Sequence, residues 1–145
     1  MKKLSVYAIV AGAAADMVGT LLVSIFISTI AGSSLLSQGV PQDEIGARLA
    51  ADTRVLGWSV VLGLVASLLG GLVAARIARH RELTHGASAG AVGLVLSTIS
   101  AVVSPMVLPT WYVIAGYGLV VPLAALGGLI GKIWNERQPP VPPSV

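Results

Sequence analysis

The chain has 145 residues, of which 55% are hydrophobic and 10% charged, and its mean hydropathy is +0.89. A soluble domain carries about a quarter charged residues, so this composition excludes an ordinary water-soluble globule. The absence of cysteine removes disulfides, thiol nucleophiles and thiolate metal sites, and the basic residues behind the formal charge of +3 form small groups at the ends of apolar runs, too close to a bilayer to mark a nucleic-acid partner.

A helix needs about 20 apolar residues, at about 1.5 Å each, to cross about 30 Å of hydrocarbon. Four runs are read as such helices: about Leu4 to Ile30, Val55 to Ile77, Ala87 to Ser104 and Thr110 to Trp134. The predicted fold is therefore all-α, a polytopic membrane protein with four transmembrane helices in one tight bundle, forming a single domain over residues 1–138. Lys2 and Lys3 before an apolar stretch with Ala13-Ala14-Ala15 could suggest a secretory signal. The run is too long for a signal core and Asp16 follows the small residues, so it reads as a retained anchor.

The first connection carries Pro41, Asp43, Glu44 and Arg48 at helix-start and i,i+4 spacings, which predicts a short helix over about 42–52 on the outer membrane surface. Pro105 ends the third run, and Pro109 closes a tight turn before the fourth. After the fourth run, residues 139–145 are read as a proline-rich disordered tail.

The basic residues set the orientation. Lys2, Lys3, Arg76, Arg79, Arg81, Lys132 and Arg137 fall at the N-terminus, the second connection and the C-terminus. The positive-inside rule then places both termini in the cytoplasm, and Trp58, Trp111, Tyr112, Tyr7 and Trp134 fit the two aromatic belts. Arg76, Arg79 and Arg81 are candidate contacts for anionic lipid headgroups.

Small and polar residues recur every four positions: Ala8, Gly12, Asp16, Thr20, Ser24 and Ser28 in the first run, Ser59, Gly63, Ser67, Gly71 and Ala75 in the second, and Ala89, Gly93, Ser97 and Ala101 in the third. Such ladders let helix backbones approach closely. Asp16 is the one ionisable side chain placed deep in an apolar run. A carboxyl there is costly unless it is paired, hydrated or neutral, and so it marks a function or a helix contact. Counting inward from the cytoplasmic ends puts Ser67, Ser97, Thr98 and Pro122 at the depth of Asp16, which predicts a polar cluster. That cluster is either a proton or cation site or a neutral carboxyl locking helices together.

Leu69-Gly70-Gly71-Leu72-Val73 with Arg76 is echoed by Leu126-Gly127-Gly128-Leu129-Ile130 with Lys132, the pattern of two hairpins related by an axis along the membrane normal. Catalytic constellations are missing: His80 and His85 are five apart in a basic loop, both histidines lie at the wrong depth to serve Ser67 or Ser97 as a base, and no phosphate-binding glycine loop occurs. The expectation is a non-enzymatic protein with no metal and no cofactor.

Gly70-Gly71-Leu72-Val73-Ala74-Ala75-Arg76 followed by His85-Gly86 resembles a segment of uncharacterised small bacterial inner-membrane proteins with four helices, where a Gly-Gly-x-x-Ala-x-Arg helix end meets a loop closed by His-Gly. The resemblance implies a multi-pass protein of the bacterial plasma (inner) membrane, and it brings no catalytic residues. The architecture alone is also similar to small multidrug-resistance transporters, which have four helices and an acidic residue in the first. Here the helices are longer, the outer loop is larger and the charge bias is stronger. Two functions are expected from different classes. One is a structural or accessory subunit in a homo-oligomer or larger membrane complex, associating through small-residue faces within the lipid bilayer. The other is a small ion-coupled transporter or channel using Asp16.

Overall fold

The computed structural model describes residues 4–103 and 107–137, so Lys2, Lys3, Ser104, Pro105, Met106 and the tail from residue 138 lie outside the described residues. The described chain forms five helices: α1 (Val6–Ser37), α2 (Ile45–Ala51), α3 (Thr53–Ala78), α4 (Glu82–Val103) and α5 (Thr110–Glu136). All except α2 are long and apolar enough to cross a membrane. The chain is an all-α, multi-pass membrane protein.

Local chemistry moves several boundaries from those read in the sequence. Gly32-Ser33-Ser34, beyond the expected helix end at Ile30, is helical, and Ser33 and Ser37 satisfy their hydroxyls on the carbonyls of Ile30 and Ser34 at 2.9 and 2.8 Å. The turn comes later, at Gly39, whose φ of 81° closes a Schellman motif: Gly39 N–H donates to the Leu36 carbonyl and Val40 N–H to that of Leu35. Asp52, expected inside the short helix, instead caps α3 by accepting from the N–H groups of Arg54 and Val55. The short helix α2 packs on α1 and α3. A Cβ on Gly32 of α1 would meet Ile45 at 3.6 Å.

The start of α1, the ends of α3 and α5 and the start of α4 share one end of the bundle, here called the basic end. Helices α3 and α4 form the short diagonal of a diamond: each touches the other and both touch α1 and α5, while α1 and α5 do not meet. Two hairpins related by an axis along the bundle would require α1 to touch α5 as α3 touches α4. The repeat is therefore local. It survives as a reciprocal crossing in which Gly71 of α3 lies on the Ala124 carbonyl and Gly127 of α5 on the Leu68 carbonyl.

This crossing shows how the bundle is held together. Among the described residues the buried hydrophobic side chains apart from Leu56 are alanines, and the largest fully buried side chain is a histidine, His85. The core is thus main chain against main chain. A Cβ on Gly12 would stand 2.7 Å from the Gly70 carbonyl, and one on Gly128 would stand 2.7 Å from that of Glu82. At such distances dispersion and Cα–H···O contacts, about 0.5–1 kcal/mol each, replace the knobs of larger side chains.

The tight packing occupies one half of the bundle. Apart from Gly32 and Leu56 near the other end, buried positions run over Ala8 to Asp16 in α1, Ala66 to Ala75 in α3, His85 to Gly93 in α4 and Ala124 to Gly131 in α5. Beyond them Thr20, Ser24, Ser28, Ser97 and Ala101, which continue the ladders read in the sequence, are exposed. The reason is geometric. A four-residue step exceeds a full turn by about 40°, so Ser28, five steps beyond Ala8, has wound about halfway round α1.

Gly127→Ala is expected to lower the unfolding free energy in detergent by at least about 1–3 kcal/mol, because its Cβ meets the Leu68 backbone and no side chain can move aside. Gly118→Ala, on the same helix with nothing within 4 Å of the added carbon, is expected to leave it unchanged or slightly higher. Parallel thermal or denaturant titrations of the two variants check this.

Candidate functional site

Asp16 stands in the third turn of α1, about 15 Å along the helix from Val6. It is 7% exposed. Gly12, one turn earlier, lets α1 settle on α3 and α4, since a Cβ there would overlap Ala74 at 2.7 Å and crowd Ala89 at 3.1 Å. The same close approach leaves no room for side chains around the carboxyl. A Cβ on Gly70 would lie 2.8 Å from Asp16 Cβ, and one on Gly93 would lie 2.7 Å from Asp16 Oδ2. Glycines on α3 and α4 thus form two walls of the pocket that holds the carboxyl.

The third wall is polar. Ser67 of α3, 4% exposed, donates from Oγ to Asp16 Oδ1 at 2.9 Å. The same Oγ lies 3.3 Å from the Gly63 carbonyl. One hydroxyl proton cannot serve both acceptors fully, and this gives two states with the same heavy-atom positions. An ionised Asp16 accepts from Ser67. A protonated Asp16 can donate to Ser67 Oγ, which then donates to Gly63. Neither ion pair among the described residues involves Asp16; they are Arg48–Glu44 and Lys132–Glu136.

Of the residues predicted to cluster, Asp16 and Ser67 are in contact. The remaining three lie elsewhere. Ser97 and Thr98 are exposed, with Thr98 bonded to its own helix at the Leu94 carbonyl and the Ser97 carbonyl accepting from Tyr117 at 3.4 Å. Pro122 is exposed on α5, which does not touch α1. Counting by depth missed that α4 meets the carboxyl one turn before Ser97, at Gly93. A glycine offers no side chain to reveal the contact in sequence.

Sequence reasoning also placed His85 in a loop with no role. In the structure it is fully buried in the first turn of α4 and joins that helix to the start of α1. Its Nε2 accepts from the Ser5 N–H at 2.9 Å and its Nδ1 faces the Arg81 carbonyl at 3.0 Å, which assigns the ring proton to Nδ1. Ser5 in turn caps α1, its hydroxyl accepting from Ala8 N–H at 3.3 Å. His80 meets the His85 ring edge-on, with centroids 5.0 Å apart. Asn135 of α5 completes the basic end by donating to the Ala75 carbonyl at 3.2 Å and to Glu82 at 3.4 Å.

The three candidate lipid-contacting arginines differ in setting. Arg76 stacks on the Trp134 ring, 4.5 Å from its centroid. Arg79 and Arg81 lie exposed on the three-residue turn between α3 and α4, both in the left-handed backbone region with φ of 50° and 48°. No family model, curated protein or solved structure matches this chain.

Because Gly93 provides the space for Oδ2, Gly93→Ala and Asp16 substitutions are expected to be coupled. Gly93→Ala should destabilise the parent protein by about 1–3 kcal/mol, and the penalty should fall to less than half in an Asp16→Ala background. A double-mutant cycle on detergent unfolding measures the coupling, which additivity would put at zero.

Proposed function

We propose that the protein is a non-enzymatic structural or accessory subunit of the bacterial inner membrane, with both termini cytoplasmic, that acts by association with itself or a larger membrane complex. In this reading Asp16 is an internal lock that holds α1 to α3 and α4. The observation that carries it is the enclosure of the carboxyl: two glycine walls, one serine donor and no ion pair among the described residues. Such a site holds its geometry whether or not a proton is present.

The enclosure also revises which faces can associate. The glycines of the basic-end half are already spent on internal contacts, so partner helices must use the faces left open beyond them. There Gly57, Gly63, Gly116 and Gly118 would meet nothing within 4 Å if they bore a side chain, and Thr20, Ser24, Ser28 and Ser97 are exposed. Small residues and hydroxyls on lipid-facing surfaces suit close helix approach and interhelical hydrogen bonds of about 0.6–2 kcal/mol.

The second reading, an ion-coupled transporter or channel, is favoured by one specific observation. The Ser67 hydroxyl can donate to the ionised Asp16 carboxylate or turn to the Gly63 carbonyl when the carboxyl carries a proton, so Asp16 can hold or lose a proton with its partners in place. The two readings separate on Asp16→Asn and Asp16→Leu in reconstituted vesicles. A lock predicts that Asn, which can still bond Ser67, preserves oligomeric state and melting temperature, while Leu loses both. A transport site predicts that Asn abolishes proton-coupled flux with assembly intact. If neither substitution changes assembly, stability or flux, both readings of Asp16 are wrong.

A further inference from the structure

At the basic end, one face of α5 carries a groove of about 340 Å³ lined by Ile130, Ile133, Trp134 and Arg137. Ile130, Ile133 and Trp134 are 42%, 44% and 51% exposed, which suits a hydrocarbon contact. Arg137 stands at the end of the groove just past the last turn of α5. Arg76 reaches across from α3 and places its guanidinium carbon 4.5 Å from the ring centroid of Trp134, the aromatic side chain of the same groove. A cation over the ring face is attracted by the ring's negative face, and this contact uses none of the guanidinium N–H groups as hydrogen-bond donors to oxygen.

Neither Arg76 nor Arg137 forms a side-chain hydrogen bond or ion pair among the described residues, whereas Lys132, one turn before the end of α5, is held by Glu136 at 3.8 Å. The Arg137 guanidinium therefore lines an apolar groove where a spanning helix ends, and the Arg76 guanidinium lies over the tryptophan of that groove. Guanidinium matches a phosphate in bidentate geometry, and the isoleucines match the chain attached to it. We propose that this groove binds an anionic phospholipid, with its phosphate on Arg76 and Arg137 and the upper part of one acyl chain along Ile130, Ile133 and Trp134.

The test uses the full chain in a non-ionic detergent with Trp58→Phe and Trp111→Phe, so that Trp134 is the only tryptophan. Its fluorescence is titrated with a short-chain phosphatidylglycerol, a short-chain phosphatidylcholine and inorganic phosphate. Saturable change with phosphatidylglycerol, at least about fivefold tighter than with phosphatidylcholine and absent with phosphate, supports the proposal. Arg76→Gln and Arg137→Gln should each weaken binding about fivefold, the effect of one lost headgroup charge. Arg79→Gln, on the exposed turn, should change it less than twofold. As a second measurement, native mass spectrometry should find an anionic lipid retained by the parent and lost from the double variant Arg76→Gln/Arg137→Gln. Equal response to phosphatidylcholine, an equal response to phosphate alone, or equal weakening by Arg79→Gln would overturn the proposal.

Discussion

Direct contact between helix backbones is the constraint on which the rest of this molecule depends. Gly71 on the Ala124 carbonyl and Gly127 on the Leu68 carbonyl bring α3 and α5 together with no side chain between them. Gly12, Gly86 and Gly128 do the same for α1 against α3, α4 against α5, and α5 against the start of α4. Lipid supplies no hydrophobic drive for helix association, so close approach must supply the binding energy through dispersion and weak hydrogen bonds. An alanine and glycine core follows, and so does the enclosed carboxyl. Asp16 is held because α3 and α4 come near enough to surround it, and they come near enough because Gly70 and Gly93 lack side chains.

The same constraint divides the molecule lengthwise. Contacts built on steps of four residues track a helix for only a few turns before the stripe winds away. The basic-end half is dense and is fastened at its rim by His85 on Ser5 and by Asn135 on Ala75 and Glu82. Toward the other end the faces open, α4 is exposed over Val95 to Val103, and hydroxyl-bearing residues point outward. A subunit fixed at one end and open at the other is suited to receive partner helices on its open half. The proposed function draws its association faces from that division.

Much of the fold was legible in the sequence because it depends on properties that accumulate along a run. Apolar length identified the four spanning helices, and the Glu44–Arg48 spacing anticipated an ion pair that forms at 3.1 Å. Asp16 with Ser67 was legible because both lie on small-residue ladders at matching depth. Other features depended on a few atoms. The end of α1 moved by two turns, with serine hydroxyls bonded to their own helix, and α4 began at Glu82, its first turn closed by His85 N–H on the Arg81 carbonyl. Ser97, Thr98 and Pro122 were misplaced because equal depth does not mean equal facing. The latch role of His85 gave no signal, since its partner is a backbone N–H that every residue but proline possesses.

The clamped carboxyl is the central claim, and carbon–carbon correlation by solid-state NMR on the labelled protein in lipid bilayers tests it most directly. The account predicts a through-space contact between the Asp16 side-chain carboxyl carbon and the Gly93 α carbon, and it predicts that the contact persists across the pH range in which the carboxyl shift titrates. Two results would contradict it: no contact to Gly93, or a carboxyl that correlates with Ser97 or Thr98 instead.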